Sequence, residues 1–336
     1  MTGYMVRRIL WIFPVLWMVA TITFFLMHAV PGGPFDQERE LPPQVIQNLN
    51  KKYNLDKPIY EQYVLYLWDI AEPKLYDHLL GLDLGPLRMP GPRLDLGLSY
   101  QSVDRPVTDL IRQGLKATVQ LGVVAFIYAI ALGMTLGIVA ALNQNRIGDY
   151  LGVFFATIGA SLPNFIIAVF LVIIFSVELR WTNVLGWDFG NILHGDPPDP
   201  RKTVLPVIAL GTLPAAYIAR ITRASMLEVL RQDYIRTARS KGLAEYIVVL
   251  RHTIKNAMVP ILTVAGPIFA NLITGSFIIE SFFSIPGVGR RFVEAVFVRD
   301  YGMIMGTVLF YAAVIAIANL VVDLLYAAVD PRIRYQ

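Results

Sequence analysis

The sequence contains no cysteine and only 16% charged residues, and each deficit excludes a class of protein. Without cysteine the chain forms no disulfide, no thiolate metal site and no cysteine nucleophile. Soluble proteins carry about 25% charged residues, so the low charge argues against a soluble chain. The four histidines lie in separate segments of the sequence. We therefore predict no metal site.

Several catalytic motifs are also missing. The sequence holds no Gly-x-x-x-x-Gly-Lys-[Ser/Thr] phosphate loop, so any ATP hydrolysis linked to this protein must take place in another chain. It holds no His-Glu-x-x-His zinc helix and no Gly-x-Ser-x-Gly elbow, which argues against an intramembrane enzyme of those types. We expect no catalytic residue here and no cofactor bound by this chain.

Long apolar runs account for the low charge, because 55% of the residues are hydrophobic. A membrane crossing needs about 20 such residues, and alternating apolar and polar runs are not seen. The sequence therefore predicts an all-α integral membrane protein with six transmembrane helices. The predicted spans are Ile9–Val30, Leu115–Leu142, Tyr150–Val177, Thr203–Ile221, Met258–Phe282 and Met303–Val329.

Basic residues set the predicted orientation. The loop between the fourth and fifth spans, from Arg220 to Ala257, holds eight Lys and Arg residues and three acidic ones. Cytoplasmic loops carry such an excess, so this loop and both termini are expected on the cytoplasmic side. Arg290, Arg291 and Arg299, in a short outer loop, argue mildly against the assignment.

The spans divide the chain into four regions. They are a first transmembrane helix at 1–30, an extracytoplasmic loop region at 31–105, a core of five transmembrane helices at 106–330 and a cytoplasmic tail at 331–336. In the outer loop, Pro42–Tyr53 and Pro58–Ile70 are predicted as short amphipathic helices. The Pro- and Gly-rich stretch from Glu72 to Arg93 is expected to be irregular.

The basic loop, residues 223–257, contains a predicted helix–turn–helix. Asp233 is expected to cap a helix Tyr234–Lys241, with Gly242 at its C-terminal end. Tyr234, Ile235 and Ala238 are placed on one face, opposite Arg236, Arg239 and Lys241. A second helix is predicted from Ala244 toward Asn256. From the residues alone, the loop could be an ordinary cytoplasmic connection, a lipid-binding surface helix or a docking element for a cytoplasmic partner.

Polar residues in the fifth span indicate a possible lining of a path across the membrane. Asn271, Thr274 and Ser276 lie toward its C-terminal end, and hydrogen bonding between helices is the alternative use of such residues. Glu280 and Asp323 are the main acids within spans, and we expect both at solvated ends.

Motifs along the whole chain resemble one family. Arg236-Thr237-Ala238, Gly242 and Leu250-Arg251-His252 resemble the signature cytoplasmic loop of ABC importer permeases, in the form of the dipeptide/oligopeptide/nickel family. Arg236 and Thr237 stand where the broad pattern has Glu and Ala, and residues 72–93 resemble an insertion. The other matching segments are Arg7–Leu10 with His28–Gly32, Leu55–Pro58 with Gln62 and Tyr63, Asp95–Ser99, and Glu280–Gly289. The long outer loop is similar to that of the B-type subunit.

The resemblance implies a function and a set of partners. It implies a permease subunit of an ATP-driven peptide importer in the inner membrane of a prokaryote. The implied partners are a second, C-type permease subunit, two cytoplasmic ATPase subunits that bind Mg-ATP, and an extracytoplasmic substrate-binding protein, with no nucleic acid. A nickel or oligosaccharide permease of the same family and, more distantly, a secondary transporter are the alternatives. The implied ATPase-coupling residues are Asp233, Tyr234, Arg236, Thr237, Ala238, Arg239, Lys241, Gly242 and Leu243.

Overall fold

The computed structural model describes residues 2–35, 42–71, 96–102, 105–190 and 196–329. Within these residues all extended regular elements are helical, and a single β-bridge joins Leu98 and Pro106. The predicted stretch 72–93 and tail 331–336 lie outside the described residues. The α-helices are α1 (Thr2–Ala29), α2 (Pro43–Lys52), α3 (Ile59–Ala71), α4 (Val107–Leu142), α5 (Ile147–Ser161), α6 (Asn164–Leu171), α7 (Pro200–Leu230), α8 (Asp233–Ser240), α9 (Glu245–Ile247), α10 (Lys255–Ile273), α11 (Phe277–Phe282), α12 (Val288–Phe297) and α13 (Tyr301–Val329).

The predicted all-α membrane fold is confirmed. Five helical segments of the described chain are long and apolar enough to cross a bilayer, and a bent pair of helices makes a sixth if it counts as one span. The two amphipathic helices predicted in the outer loop are present as α2 and α3. Two π-helical segments extend the regular structure, Val172–Glu178 after α6 and Val248–Ile254 before α10.

The third predicted span is not straight. Helices α5 and α6 meet at an angle of 107° across a break at Leu162 and Pro163. The proline ring clashes with an α conformation of the residue before it, and Leu162 is accordingly extended (φ −96°, ψ 128°). The span is therefore fully broken at Pro163, whereas Pro206 and Pro214 remain inside the continuous helix α7.

The fifth predicted span, Met258–Phe282, is wrong at its C-terminal end. Helix α10 stops at Ile273, and Gly275 follows with a φ of +92°. Ser276 then caps the separate helix α11 by accepting a hydrogen bond from a backbone N–H of its first turn (3.3 Å). The mean hydropathy of a long apolar run does not show such a stop, because two small residues lower that mean only slightly.

The described residues form two compact units. One contains the residues up to Leu115 together with Arg290–Ala316, and the other contains Lys116–Gly289 together with the residues from Ile317 onward. The boundaries between them fall inside α4, α12 and α13.

In the first unit, residues from separate sequence motifs meet. His28, at the end of α1, donates from Nδ1 to the carbonyl oxygen of Phe24 (2.8 Å) and stacks on its ring at 4.1 Å. Its Nε2 lies 3.1 Å from the side chain of Gln62 in α3. The buried carboxylate of Asp300 accepts hydrogen bonds from the hydroxyl of Ser99 and the backbone N–H of Met303 (3.0 Å), so it caps α13.

The second unit is held together by close helix packing at small residues. A Cβ added at Gly133 of α4 would collide with the backbone of Ala215 in α7, and one at Gly137 would collide with Thr222. A Cβ added at Gly152 of α5 would lie 3.0 Å from Ala140 of α4, a tight contact. Small residues let helix backbones approach in membranes, so these glycines of α4 and α5 serve packing inside this chain.

Candidate functional site

Helix α8 of the basic loop begins one residue earlier than predicted. Gln232 is the extended residue before the helix, and Asp233 is its first helical residue. Asp233 is therefore not the cap that its residue type suggests. Its side chain is 97% exposed and lies 3.6 Å from the guanidinium of Arg236. Its negative charge at the N-terminus of α8 still interacts favourably with the positive end of the helix dipole.

One narrow stripe of α8 is buried. Ile235 is 0% exposed and Ala238 is 7% exposed, and both pack against Val248 and Val229. Tyr234 was predicted on the same face as Ile235 and Ala238, but its side chain is 44% exposed and not buried with them. Tyr234 is one turn before Ala238 but about 100° around the helix from Ile235, so it lies at the edge of the stripe, where its side chain stays exposed.

A left-handed glycine ends α8. Gly242 has a φ of +77°, and its N–H donates to the carbonyl oxygen of Arg239 (2.9 Å). The next N–H, of Leu243, donates to the carbonyl oxygen of Ala238 (3.4 Å). This pair of bonds is a Schellman motif, in which the C′ residue takes a positive φ and is usually glycine. The predicted C-terminal role of Gly242 is confirmed.

An ion pair spans the glycine turn. Arg239 donates from Nη2 to Glu245 Oε1 (2.6 Å) and from Nε to Oε2 (3.1 Å). The hydrogen bond with Glu245 raises the pKa of the Arg239 guanidinium. Both side chains are more than 40% exposed, and pairs exposed to water contribute only about 0.2–1 kcal/mol. The pair therefore orients the turn more than it stabilises it.

The two arms of the basic loop are direct extensions of spans. On one side α7 ends at Leu230, two residues before α8 begins. On the other side α9 runs through the π-helical segment into α10, giving one helical span of 29 residues, Glu245–Ile273. The separate second helix predicted to end near Asn256 is thus the beginning of the fifth span. No proline or glycine interrupts the described chain between Ala244 and Asn256, so nothing stops the helix there.

The basic loop exposes a mixed apolar and charged surface. We call this the exposed face of the loop. Tyr246 and Leu250 are 67% and 64% exposed and lie one helical turn apart. Sequence reasoning left these two out of the coupling residues. The signals that could have found them are apolar side chains on a segment outside the predicted span and, for Leu250, its place in the family motif. The exposed face comprises Asp233, Tyr234, Arg236, Thr237, Lys241, Leu243, Tyr246 and Leu250.

A buried ion pair joins α5 to the helix that leads into the loop. Arg223 of α7 donates to Asp149 of α5 through Nε (2.6 Å) and Nη2 (2.8 Å). Asp149 is 3% exposed and also accepts from the backbone N–H of Asn145 (3.0 Å). Sequence reasoning missed this pair, because its members stand 74 residues apart and each looks like an ordinary loop charge.

The three predicted path residues differ in their surroundings. Asn271 of α10 has an exposed side chain. The hydroxyl of Thr274 donates to the carbonyl oxygen of Asn271 (2.7 Å), and Ser276 caps α11. The two hydroxyls thus serve the backbone at the end of the fifth span, and Asn271 is the residue of the three whose side chain faces outward.

We predicted Glu280 at a solvated end of a span. That prediction is wrong, because Glu280 is 0% exposed. It lies on α11, and its carboxylate accepts hydrogen bonds from the hydroxyl of Thr118 (3.1 Å) and the backbone N–H of Gly289 (2.8 Å). The prediction failed because it treated residues 258–282 as one straight helix with Glu280 at its tip.

Comparison with known proteins identifies the chain. The family model described as binding-protein-dependent transport system inner membrane component matches residues 133–335, and the N-terminal model of the same transport systems matches residues 1–122. The chain is 38% identical over 335 residues to the oligopeptide transport system permease protein OppB of Haemophilus influenzae, and the alignment covers all of both chains. This chain belongs to the binding-protein-dependent transport permease family.

Other comparisons agree with this membership. The permease is 38% identical over 334 residues to the dipeptide transport system permease protein DppB of Bacillus subtilis, covering 99% of this chain and 98% of the relative. A chain of the inward-facing MetNI methionine ABC transporter aligns with a TM-score of 0.54 at 16% identity, covering 66% of the permease and 97% of that chain. The structural likeness shows the fold alone. The recognition as an ABC importer permease of the peptide family is confirmed.

The buried stripe of α8 gives a testable prediction about the permease. Changing Ile235 to Ala removes a fully buried side chain that holds α8 against Val248, which typically costs about 2–5 kcal/mol. We expect the loop to open locally, so that limited digestion with trypsin cuts at its many Arg and Lys residues. The matched control is Tyr234→Ala, whose side chain is 44% exposed and whose loss should leave the digestion rate unchanged. Equal rates for the two variants would contradict the packing described here.

Proposed function

We propose that the permease is one of two pore-forming subunits of an ATP-driven importer of peptides. The observation that carries this proposal is the full-length identity of 38% to relatives named as oligopeptide and dipeptide transport permeases. Identity at this level runs through both family regions, including the outer-loop region at 1–122. The proposal therefore rests on the whole chain and not on the basic loop alone.

The exposed face of the basic loop is the proposed docking surface for a cytoplasmic ATPase. It combines apolar side chains such as Tyr246 with cations such as Arg236 and Lys241, a composition suited to a groove lined by apolar and acidic groups. The coupling residues named from the sequence all lie on α8 or its C-terminal turn. Ile235 and Ala238 pack α8 against the rest of the loop. A partner that binds α8 would therefore act on the whole packed loop and not on a loose helix.

The connections of the loop support a role in transmitting movement. Because α8 follows α7 after two residues and α9 continues into α10, a displacement of the docked loop moves the ends of both spans. Moving a two-state pore from 1:99 to 99:1 requires a differential of about 5.5 kcal/mol. The Schellman turn and the buried stripe hold α8 in one arrangement against the rest of the loop, which supports its use in transmitting that free energy.

The proposed setting is the inner membrane of a prokaryote, with both termini and the basic loop in the cytoplasm. The excess of Lys and Arg at 220–257 supports this orientation. A C-type permease completes the pore, two ATPase subunits bind Mg-ATP, and an extracytoplasmic binding protein delivers the substrate. Within the pore, we assign the path to the side of α10 that carries Asn271.

Reconstitution tests this proposal. The permease is co-expressed with the permease, ATPase and binding-protein genes that adjoin its own, and the purified complex is placed in proteoliposomes. We expect ATP-dependent uptake of a labelled peptide that requires the binding protein. ATP-dependent uptake of nickel or of an oligosaccharide, without peptide uptake, would replace the substrate class. Uptake by the permease alone, without any ATPase, would contradict the proposal and support a secondary transporter.

A further inference from the structure

Helix α11 carries a buried acid that has no part in the function proposed above. Glu280 is 0% exposed, although it lies only a few residues after the end of a membrane span. An ionisable group inside a membrane protein is costly to bury and is commonly retained for a role in function. The surroundings of this carboxylate show what that role is.

The carboxylate and one hydroxyl organise the beginning of α12. Oε2 of Glu280 accepts from the backbone N–H of Gly289 (2.8 Å), and Oε1 accepts from the hydroxyl of Thr118 on α4 (3.1 Å). That same Thr118 oxygen accepts from the backbone N–H of Val288 (2.9 Å). The first two N–H groups of α12 are thus satisfied by a side-chain network that begins on α11 and includes α4, in the manner of a helix cap.

Three glycines surround this carboxylate, and their lack of side chains leaves room for it. A Cβ added at Gly275 or at Gly287 would overlap a Glu280 carboxylate oxygen, and one at Gly289 would lie 3.0 Å from Oε2. Gly275 is in the turn that follows α10, Gly287 immediately precedes α12, and Gly289 is in the first turn of α12. The acid therefore sits where the outer end of α10, the helix α11 and the first turn of α12 come closest.

We infer that Glu280 is a positioning residue for transport, which fixes the end of α10 relative to α4 and to the start of α12. The inference rests on the proposed function, in which α10 borders the path. Thr118 and Glu280 hold the segment from Gly275 to Gly289, and that segment sets where α10 stops. Asn271, one turn before the stop, is placed by the same contacts.

The chemistry of the site singles out an informative variant. A carboxylate accepts hydrogen bonds at both oxygens, and the donors described above are an O–H at one oxygen and an N–H at the other. Glu280→Gln has the same shape but replaces one acceptor by an NH₂ donor, so it can keep the bond to Gly289 only if the bond to Thr118 reverses and the Thr118 hydroxyl proton loses its carboxylate acceptor. It opens no cavity. Thr118→Val removes the hydroxyl at nearly constant volume, and Thr118→Ser restores it.

Transport kinetics provide the first test, with the complete reconstituted complex. We expect Glu280→Gln to assemble with its partner subunits and to keep its basal ATPase activity, while the maximal rate of peptide uptake falls about tenfold. Thr118→Val should lower that rate in the same direction, and Thr118→Ser should return it to near the wild-type rate. Ser281→Ala is the control, because its buried hydroxyl has no hydrogen-bond partner within the described residues.

A labelling experiment separates positioning from general stability. The chain has no cysteine, so Asn271→Cys introduces a single thiol. We expect Glu280→Gln to change its rate of reaction with a membrane-impermeant maleimide severalfold in assembled complexes, whereas Ser281→Ala does not. A role confined to stability would lower the melting temperature and leave this rate unchanged, and that result overturns the inference.

The outcomes also separate this inference from the proposed function. Peptide uptake by Glu280→Gln within about twofold of wild type overturns the inference alone, since wild-type uptake still shows an importer. If Glu280→Gln fails to assemble, Thr118→Val decides, and uptake equal to that of Thr118→Ser is the contradicting result. Absence of uptake by the wild-type complex counts against the proposed function itself.

Discussion

Changing Gly242 to Val is expected to leave the transporter complex assembled and to abolish most of the stimulation of ATP hydrolysis by substrate. Gly242 has a φ of +77°, where a non-glycine residue costs about 1–2 kcal/mol and a β-branched residue costs more. A strain of that size shifts an equilibrium about 5–30-fold. We therefore expect stimulated ATPase activity to fall about tenfold in reconstituted vesicles, with unchanged co-purification of the partner subunits.

Graded substitutions make the test specific. Asn tolerates the left-handed region better than other residues, so Gly242→Asn should retain much of the stimulation and Gly242→Ala should be intermediate. An added Cβ meets open space here among the described residues, so any loss reports backbone conformation and not a clash. Gly97→Val is the control, because Gly97 has a φ of +81° in similar open space. Unchanged stimulation in Gly242→Val would refute a mechanical role for this turn.

The second large effect is expected at the ion pair between Asp149 and Arg223. Removing one member of a buried pair leaves an uncompensated charge, which costs about 3–5 kcal/mol. Arg223 retains 29% exposure of its side chain, so the lower end of that range applies. Arg223→Ala should therefore lower the melting temperature and the yield of the purified complex strongly, because Asp149 remains buried beside α7.

A double-mutant cycle measures the coupling in this pair. Replacing both residues, as Asp149→Leu with Arg223→Met, removes both charges and should recover most of the stability lost in Arg223→Met alone. The exposed pair formed by Arg239 and Glu245 is the control, since Glu245→Gln should change the melting temperature little. Additive effects of Asp149→Leu and Arg223→Met would show that the two side chains do not interact as described.

Local sequence signals predicted the fold well where a single residue or the length of a hydrophobic run decides the structure. Hydrophobic run length located the spans, and the glycine at the end of α8 was recognised because few residues adopt a positive φ. The pattern failed where a break has no strong hydropathy signal. Gly275 and Ser276 divide the fifth predicted span, and Leu162 and Pro163 bend the third by 107°.

Tertiary contacts account for the remaining errors. Asp149 and Arg223, and likewise Thr118 and Glu280, meet only after helices distant in sequence have packed together. Neither pair has a local spacing that identifies it, and each member alone resembles a solvated charge or an ordinary helix hydroxyl. Tyr234 was placed on the face of Ile235 and Ala238 because it precedes Ala238 by one turn, but it lies at the edge of that face and is exposed. The coupling residues implied by the family motif ended at Leu243 and did not include Tyr246 or Leu250.

Site-specific cross-linking from the exposed face of the basic loop tests the central claim most directly. The chain lacks cysteine, so Arg236→Cys carries a single thiol for a photoreactive maleimide, and Glu294→Cys on α12 is the control. We predict that the label at position 236 joins the permease to a nucleotide-binding subunit in native membranes, and that the label at 294 does not. Absence of that product from position 236, or labelling of position 236 by an impermeant reagent added outside intact cells, would contradict the account.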